Sequence, residues 1–234
     1  MNPIIVALDV SSGREARELV SRLAGAVGCF KIGMELYAAE GVSLVDELLE
    51  AGHRVFLDLK FYDIPETVKR ATAQVARRGV HFLTVHGSQA VMRAAVEGRG
   101  ESELKLLGVT VLTSFDESDL ADLGYGCRVS DLVALRVQKA KEAGLDGVVC
   151  SPLEASQVRG TLGPQALVVT PGVRSLGSAQ GDQKRVATPA EAIRNGASHL
   201  VIGRQITQAA DPKAEALRIL EEIAGAGDLP NDTR

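Results

Sequence analysis

"VFLDLKFYDIPETV", residues 55–68, begins as an apolar strand and ends in alternating charge. Side chains alternate across a strand, so Val55, Leu57 and Leu59 share one face while Phe56, Asp58 and Lys60 share the other. An acid and a base on one face of an apolar strand are costly unless they are paired, solvated or used. Asp63 follows three residues after Lys60, just before the "IPET" helix start. Where this strand sits decides what its charges are for.

Similar short β-rich runs recur along the chain: Ile4–Val10, Cys29–Gly33, Arg54–Lys60, Phe82–His86, Leu106–Leu112, Gly147–Ser151, Leu167–Pro171 and Leu200–Gly203. Between them lie stretches such as "GREARELVSRLAGAV", "ETVKRATAQVARRG" and "VSDLVALRVQKAKEAG", with apolar residues three and four apart and glycine near their ends. These spacings predict amphipathic helices. Eight strand–helix units, the last closed by "PKAEALRILEEIAGAG", imply an α/β protein with a parallel sheet closed as a (β/α)₈ barrel, one domain spanning residues 1–234. An open doubly wound sheet would carry a G-x-G-x-x-G turn after its first strand, and "VALDVSSG" does not. Two loops are long, "TSFDESDLADLGYGCR" after strand five and "GVRSLGSAQGDQKRVA" after strand seven; both are expected on the face that carries chemistry. The tail "GAGDLPNDTR", residues 225–234, is expected to fray.

Composition excludes several classes. The 234 residues are 45% apolar and 24% charged, with a net charge of −4, and the mean hydropathy is +0.07. No excess of positive charge favours nucleic acid or an anionic membrane. The start "MNPIIVALDV" lacks a basic leader, and no apolar run approaches the ~20 residues of a membrane span. Cys29, Cys127 and Cys150 are odd in number and far apart, as expected of reduced packing residues in a cytoplasmic protein. His53, His81, His86 and His199 show no metal-ligand spacing. His86 is expected to make a structural hydrogen bond.

In a barrel, functional side chains project from the C-terminal ends of the strands. Asp9 ends strand one, Lys31 lies in strand two, Asp58 and Lys60 end strand three, and Asp63 opens the following loop. Five charges of alternating sign thus converge from three neighbouring strands, which a merely solvated rim does not explain. At the other end of the chain, Arg174 and Gln183 on the seventh loop, with Gly203 and Arg204 after strand eight, are placed to hold a phosphate.

"LDLKFYDIPETV" resembles the D-x-K-x-x-D-I-P-x-T signature of the orotidine 5′-phosphate decarboxylases. "VALDV", "FKIGMELY", "VTVLTS", "TPGVR" and "VIGRQIT" resemble that family's other blocks in the same order. One departure is Glu66, where an asparagine is usual. The resemblance implies conversion of orotidine 5′-phosphate to UMP and CO₂ in pyrimidine biosynthesis, with no metal or cofactor. It implies that Asp9 and Lys31 contact ribose hydroxyls, Lys31 also orienting Asp58, that Asp58 lies against the substrate carboxylate, and that Lys60 protonates C6. It further implies that Asp63 comes from the second subunit of a homodimer, that Ile64 and Thr67 lie by the substrate, and that Thr113 contacts the pyrimidine. Pro171, Arg174 and Gln183 would belong to the strand-seven loop, and Gly203 and Arg204 would hold phosphate. Two rivals remain: a metal-dependent sugar-phosphate aldolase or synthase of the hexulose-phosphate synthase type, and a non-catalytic nucleotide-binding barrel.

Overall fold

A computed structural model describes residues 2–175 and 185–225. The first units are β1 (Ile4–Ala7), α1 (Gly13–Arg22), β2 (Cys29–Gly33), α2 (Met34–Glu40), α3 (Val42–Glu50), β3 (Arg54–Phe61) and α4 (Pro65–Arg77). The middle of the chain gives β4 (Phe82–Val85), α5 (Gln89–Arg99), β5 (Lys105–Val109), α6 (Glu117–Asp122), α7 (Val129–Ala143) and β6 (Gly147–Val149). It ends with α8 (Ala155–Leu162), β7 (Leu167–Thr170), α9 (Pro189–Arg194), β8 (His199–Ile202), α10 (Arg204–Thr207) and α11 (Pro212–Gly225). All eight strands are parallel and neighbour one another in chain order, and β1 closes the barrel by pairing with β8 at Ile4–Leu200, Ile5–Val201 and Val6–Ile202. The expected (β/α)₈ barrel is the fold.

Local chemistry accounts for the helix starts. The Ser12 hydroxyl accepts the Glu15 N–H to open α1, Pro65 occupies the first turn of α4, and Thr188 with Glu191 forms a capping box on α9. The long loop after β5 is not irregular throughout: Asp116 and Asp119 form a second capping box that starts α6. The ladders are also shorter than the apolar runs. β1 stops at Ala7 rather than Val10, β5 at Val109 rather than Leu112, and β6 at Val149 rather than Ser151. The stagger of a tilted barrel leaves the last residues of each run beyond their neighbour's ladder. Isolated bonds persist there, as from the Leu8 N–H to the Lys31 carbonyl at 2.9 Å. Residues 226–234 of the expected frayed tail lie outside the described residues, and Gly225 closes α11.

Because the strands are covered on both faces, apolar residues segregate into two cores. The larger one lies between strands and helices and takes Val55 and Leu57 of β3 together with Ile4, Val6, Leu83 and Leu106. The smaller one fills the barrel with Ile5, Ala7, Cys29, Phe56, Phe82, Leu107, Val169 and Val201. Cys29 and Cys150 are buried free thiols, whereas Cys127 is a free thiol at the surface. Among the described residues, no helix is long and apolar enough to cross a membrane.

One polar ring sits in the barrel interior. His199 is buried and packs edge-on against Phe82, with ring centroids 5.4 Å apart. Burial first, and the Arg54 charge second, lower its imidazole from 6.5 to about 4. An unfolded histidine therefore binds a proton that the folded one refuses, so this contribution to stability is complete above pH 6.5 and is lost as pH falls towards 4. Between pH 7.5 and 4.5 the wild-type chain should lose about 2–3 kcal/mol more unfolding free energy than His199→Gln, read by urea titration. Parallel pH profiles for the two proteins would show that His199 is not responsible.

Candidate active site

Period-two alternation turns the barrel's interior face from apolar to charged towards the mouth. On β3 the inward residues run Phe56, Asp58, Lys60; on β2 they run Cys29, Lys31, Gly33; and β1 supplies Ile5 and Ala7, followed by Asp9 just beyond its ladder. The charges form a ladder of alternating sign. Lys31 Nζ lies 2.8 Å from Asp9 and 3.6 Å from Asp58, and Lys60 Nζ lies 2.9 Å from the other oxygen of Asp58. Side-chain exposure is 60% at Asp9 but only 10% at Lys31 and 18% at Asp58, so Lys31 and Asp58 are largely shielded from water while Asp9 faces it. Burial alone would raise the Asp58 carboxyl, but the Lys31 and Lys60 charges, with hydrogen bonds from Lys60 and Thr84, hold it below its ordinary value. Asp58 is an anion at neutral pH.

The strand that carries this pair is irregular. Against β4, Leu57 pairs with Leu83 but the next pair is Phe61 with Val85, so four steps on β3 span two on β4. This bulge of two extra residues preserves the inward facing of Asp58 and Lys60. Lys60 adopts φ +49°, the one left-handed non-glycine conformation among the described residues, at a cost of order 1–3 kcal/mol. Thr84, fully buried on β4, holds the bulge together: its hydroxyl donates to Asp58 at 3.0 Å and accepts the Lys60 backbone N–H at 2.9 Å. Gly33 is the other residue that the sequence reading passed over. A Cβ there would stand 3.1 Å from Lys31 Nζ and 3.2 Å from Asp9 Oδ1, so the missing side chain is what gives the pair its space.

These charges line one wall of a cavity of about 510 Å³. Thr113, Pro171, Arg174, Gly203 and Arg204 line it as well, bringing both ends of the chain to one site. Thr113 lies four residues beyond the end of β5, and Pro171 directly follows β7. At Gly203 a Cβ would meet only Ala7 at 3.6 Å and Asp9 at 4.0 Å, ordinary contacts, so packing within the chain does not demand glycine there. Gln183 lies outside the described residues. Asp63, Ile64 and Thr67 do not line the cavity of their own chain. Asp63 is exposed in the turn before α4, where its carboxylate accepts the Ile64 N–H at 2.6 Å, and Ile64 is itself exposed. Glu66, in the first turn of α4, is ion-paired with Arg70 at 3.4 Å and stands apart from the cavity.

His86 is also outside the cavity wall. Its Nε2 lies 3.5 Å from the Arg136 guanidinium. Burial, then the Arg136 and Lys60 charges, lower the ring to about 4, so it is neutral. Arg136 in turn donates to the Thr110 carbonyl and to the Tyr125 hydroxyl, tying the ends of β4 and β5 to α7. Among the described residues, no three His, Cys, Asp or Glu side chains gather as a metal site would require.

Residues 2–219 match the model of the "Orotidine 5'-phosphate decarboxylase / HUMPS family". The chain is 52% identical over 223 residues to an orotidine 5′-phosphate decarboxylase of Rhodopseudomonas palustris strain HaA2, covering 95% of each chain. It is 52% identical over 226 residues to one from a Methylobacterium species, covering 95% of this chain and 96% of that one. Its fold superimposes on the crystal structure of orotidine 5′-phosphate decarboxylase from Lactobacillus acidophilus with a TM-score of 0.84 at 36% identity, covering 95% and 99% of the two chains.

Thr84 offers a test of this geometry that needs no substrate. Thr84→Val keeps the shape but strands the Lys60 N–H and removes a donor from Asp58. The variant should lose about 1–3 kcal/mol of stability, and its Asp58 carboxyl should titrate at higher pH than in the wild type. Carbon-detected NMR of labelled aspartate reads the titration and denaturant unfolding reads the stability. An Asp58 titration unchanged in the variant would remove Thr84 from the site.

Proposed function

The chain belongs to the orotidine 5′-phosphate decarboxylase / HUMPS family, and from that premise we propose that it converts orotidine 5′-phosphate to UMP and CO₂ without metal or organic cofactor. The observation that carries this reading is the position of Lys60, whose ammonium lies 2.9 Å from the half-buried Asp58 carboxylate and lines the cavity. When the bond between C6 and the carboxylate breaks, its electron pair remains at C6 in the plane of the ring, where the ring's π system cannot spread it. Such a carbanion requires a fixed positive charge and a proton source beside it. Lys60 serves as both: its ammonium faces C6 as charge develops, and its proton then goes to C6, leaving an amine that water reprotonates. Asp58 holds that ammonium in place and stands next to the departing carboxylate. Repulsion between the two carboxylates is relieved as CO₂ leaves, but the larger share is assigned to the preorganised lysine.

The rest of the cavity fits the remainder of the nucleotide. Lys31 and Asp9, linked at 2.8 Å, are assigned to the ribose hydroxyls, and Thr113 to the pyrimidine. Arg174, Gly203 and Arg204 are assigned to the phosphate, which supplies binding energy at a distance from the reacting carbon. Asp63 is assigned to the neighbouring site of a C₂ homodimer, with Ile64 and Thr67 beside it. This reading is supported by the absence of all three from their own cavity wall and by the exposed apolar Met34, Tyr62 and Ile64 around the mouth. The metal-dependent sugar-phosphate rival is disfavoured by the Lys31 ammonium between Asp9 and Asp58 and the Lys60 ammonium beyond it, which compete with any cation.

The direct test is loss of orotate absorbance when purified protein meets orotidine 5′-phosphate in the presence of EDTA. Lys60→Ala should nearly abolish this turnover while still binding UMP. Activity within about tenfold of wild type, roughly 1.4 kcal/mol of barrier, would remove Lys60 from its assigned role. Suppression by EDTA would favour the sugar-phosphate reading.

Sharing of the site is tested by mixing Lys60→Ala and Asp63→Ala subunits. A hybrid dimer regains one intact site, so random pairing should restore about a quarter of wild-type sites. Demonstrated hybrids with no more activity than the separate mutants would place Asp63 in its own subunit's site.

A further inference from the structure

Two arginines reach the cavity from different loops, Arg174 after β7 and Arg204 at the start of α10. Their immediate neighbours in the chain, Ser175 and Gln205, face away from it and are joined to each other. Gln205 Oε1 accepts the Ser175 backbone N–H at 3.1 Å, and Gln205 Nε2 donates to the Ser175 hydroxyl at 2.9 Å. The second Nε2 proton goes to Glu215 on α11 at 2.8 Å. A backbone N–H can only donate, so the orientation of the amide is settled by its partners.

The knot is saturated. The buried Ser175 hydroxyl accepts from Gln205 and, at 2.9 Å, from Arg218, and it donates to Glu222 at 2.6 Å. A hydroxyl has one proton to give and two lone pairs to fill, and all three are used here. Glu215 and Arg218 are themselves joined by two bonds, 2.9 and 2.7 Å. α11 therefore anchors Gln205, and Gln205 grips the residue that follows Arg174. A tie of this kind, one residue away from each arginine, joins the two backbone stretches from which the arginine arms extend.

We propose that Gln205 is a positioning residue for anion binding: through Ser175 and Glu215 it sets the spacing between Arg174 and Arg204 that the phosphate of the substrate requires. This rests on the decarboxylase reading above and adds to it a residue that touches no substrate. A bidentate amide is suited to the role, because it fixes both the distance and the rotation of the loop stem relative to α10. A merely structural tie would affect all ligands alike. A positioning tie acts through the arginines, and so acts on phosphorylated ligands alone.

The experiment compares Gln205→Ala and Gln205→Met, the second keeping the bulk while removing all three hydrogen bonds, each alone and combined with Arg204→Ala. With orotidine 5′-phosphate, KM should rise about tenfold in both single variants while kcat changes less than about threefold. Inhibition by inorganic phosphate should weaken in step, and turnover of orotidine lacking the phosphate should be unchanged. In the Arg204→Ala background, adding Gln205→Met should change KM by less than about twofold, because the arm that it positions is already gone. Equal losses with and without the phosphate, or the same fold-change in both backgrounds, would overturn the proposal and leave Gln205 a structural tie. A wild-type chain with no turnover at all would overturn the decarboxylase reading and this inference with it. Turnover that depends on Arg204 but not on Gln205 would overturn this inference alone.

Discussion

The Asp58 carboxylate, enclosed in a closed barrel between two ammonium groups, is the constraint around which the site is arranged. A lone buried anion would cost several kcal/mol and would take up a proton instead. Here Lys31 stands 3.6 Å from one oxygen and Lys60 2.9 Å from the other, so the anion survives burial and in turn holds both cations. Removing one partner weakens the compensation of the rest, since Asp58 depends on both lysines and Lys60 on Asp58. Gly33 keeps space for Lys31, Asp9 accepts from its ammonium, and Thr84 donates to Asp58.

The barrel makes such a cluster possible by separating stability from chemistry along its axis. Phe56, Phe82, Leu107 and Val169 pack the interior, and two residues further along the inward faces of β3 and β4 the side chains become polar, Asp58 and Thr84. The same parity that places Phe56 in the core places Asp58 and Lys60 at the mouth. Substitutions at the two levels therefore have different consequences: cavities below, altered charge above. The loops after β7 and β8 bring Arg174 and Arg204 to the same cavity, and they share no residue with the charge ladder.

Much of this was legible in one dimension. Eight apolar runs alternating with helical spacings specify the barrel, and strand parity alone predicts that Asp58 and Lys60 face inward together. What could not be read is whatever depends on pairing across the sheet. Thr84 looks like any strand threonine until the β3 bulge brings the Lys60 N–H onto its hydroxyl, and that bulge follows from register rather than composition. Gly33 reads as a strand-ending glycine, and the reason for it is a pair formed between its own strand and the residue beyond β1, Lys31 with Asp9. Ser175 and Gln205 lie 30 residues apart and meet only because β7 and β8 are neighbours. The strand ends were overextended for a similar reason, since the ladder stops where the neighbour's stagger ends and not where apolarity does.

The left-handed backbone of Lys60 has a consequence for how this protein can change. Glycine is the residue that φ +49° suits best, and asparagine follows it. Random variation screened for robustness alone would therefore drift away from lysine at this position and towards residues that cannot pair with the Asp58 carboxylate. Heat-tolerant descendants obtained by such a screen would lose the Lys60–Asp58 pair early. The lysine stands against the preference of its own backbone, which makes position 60 a point where the demands of local conformation and of charge pairing slope in opposite directions.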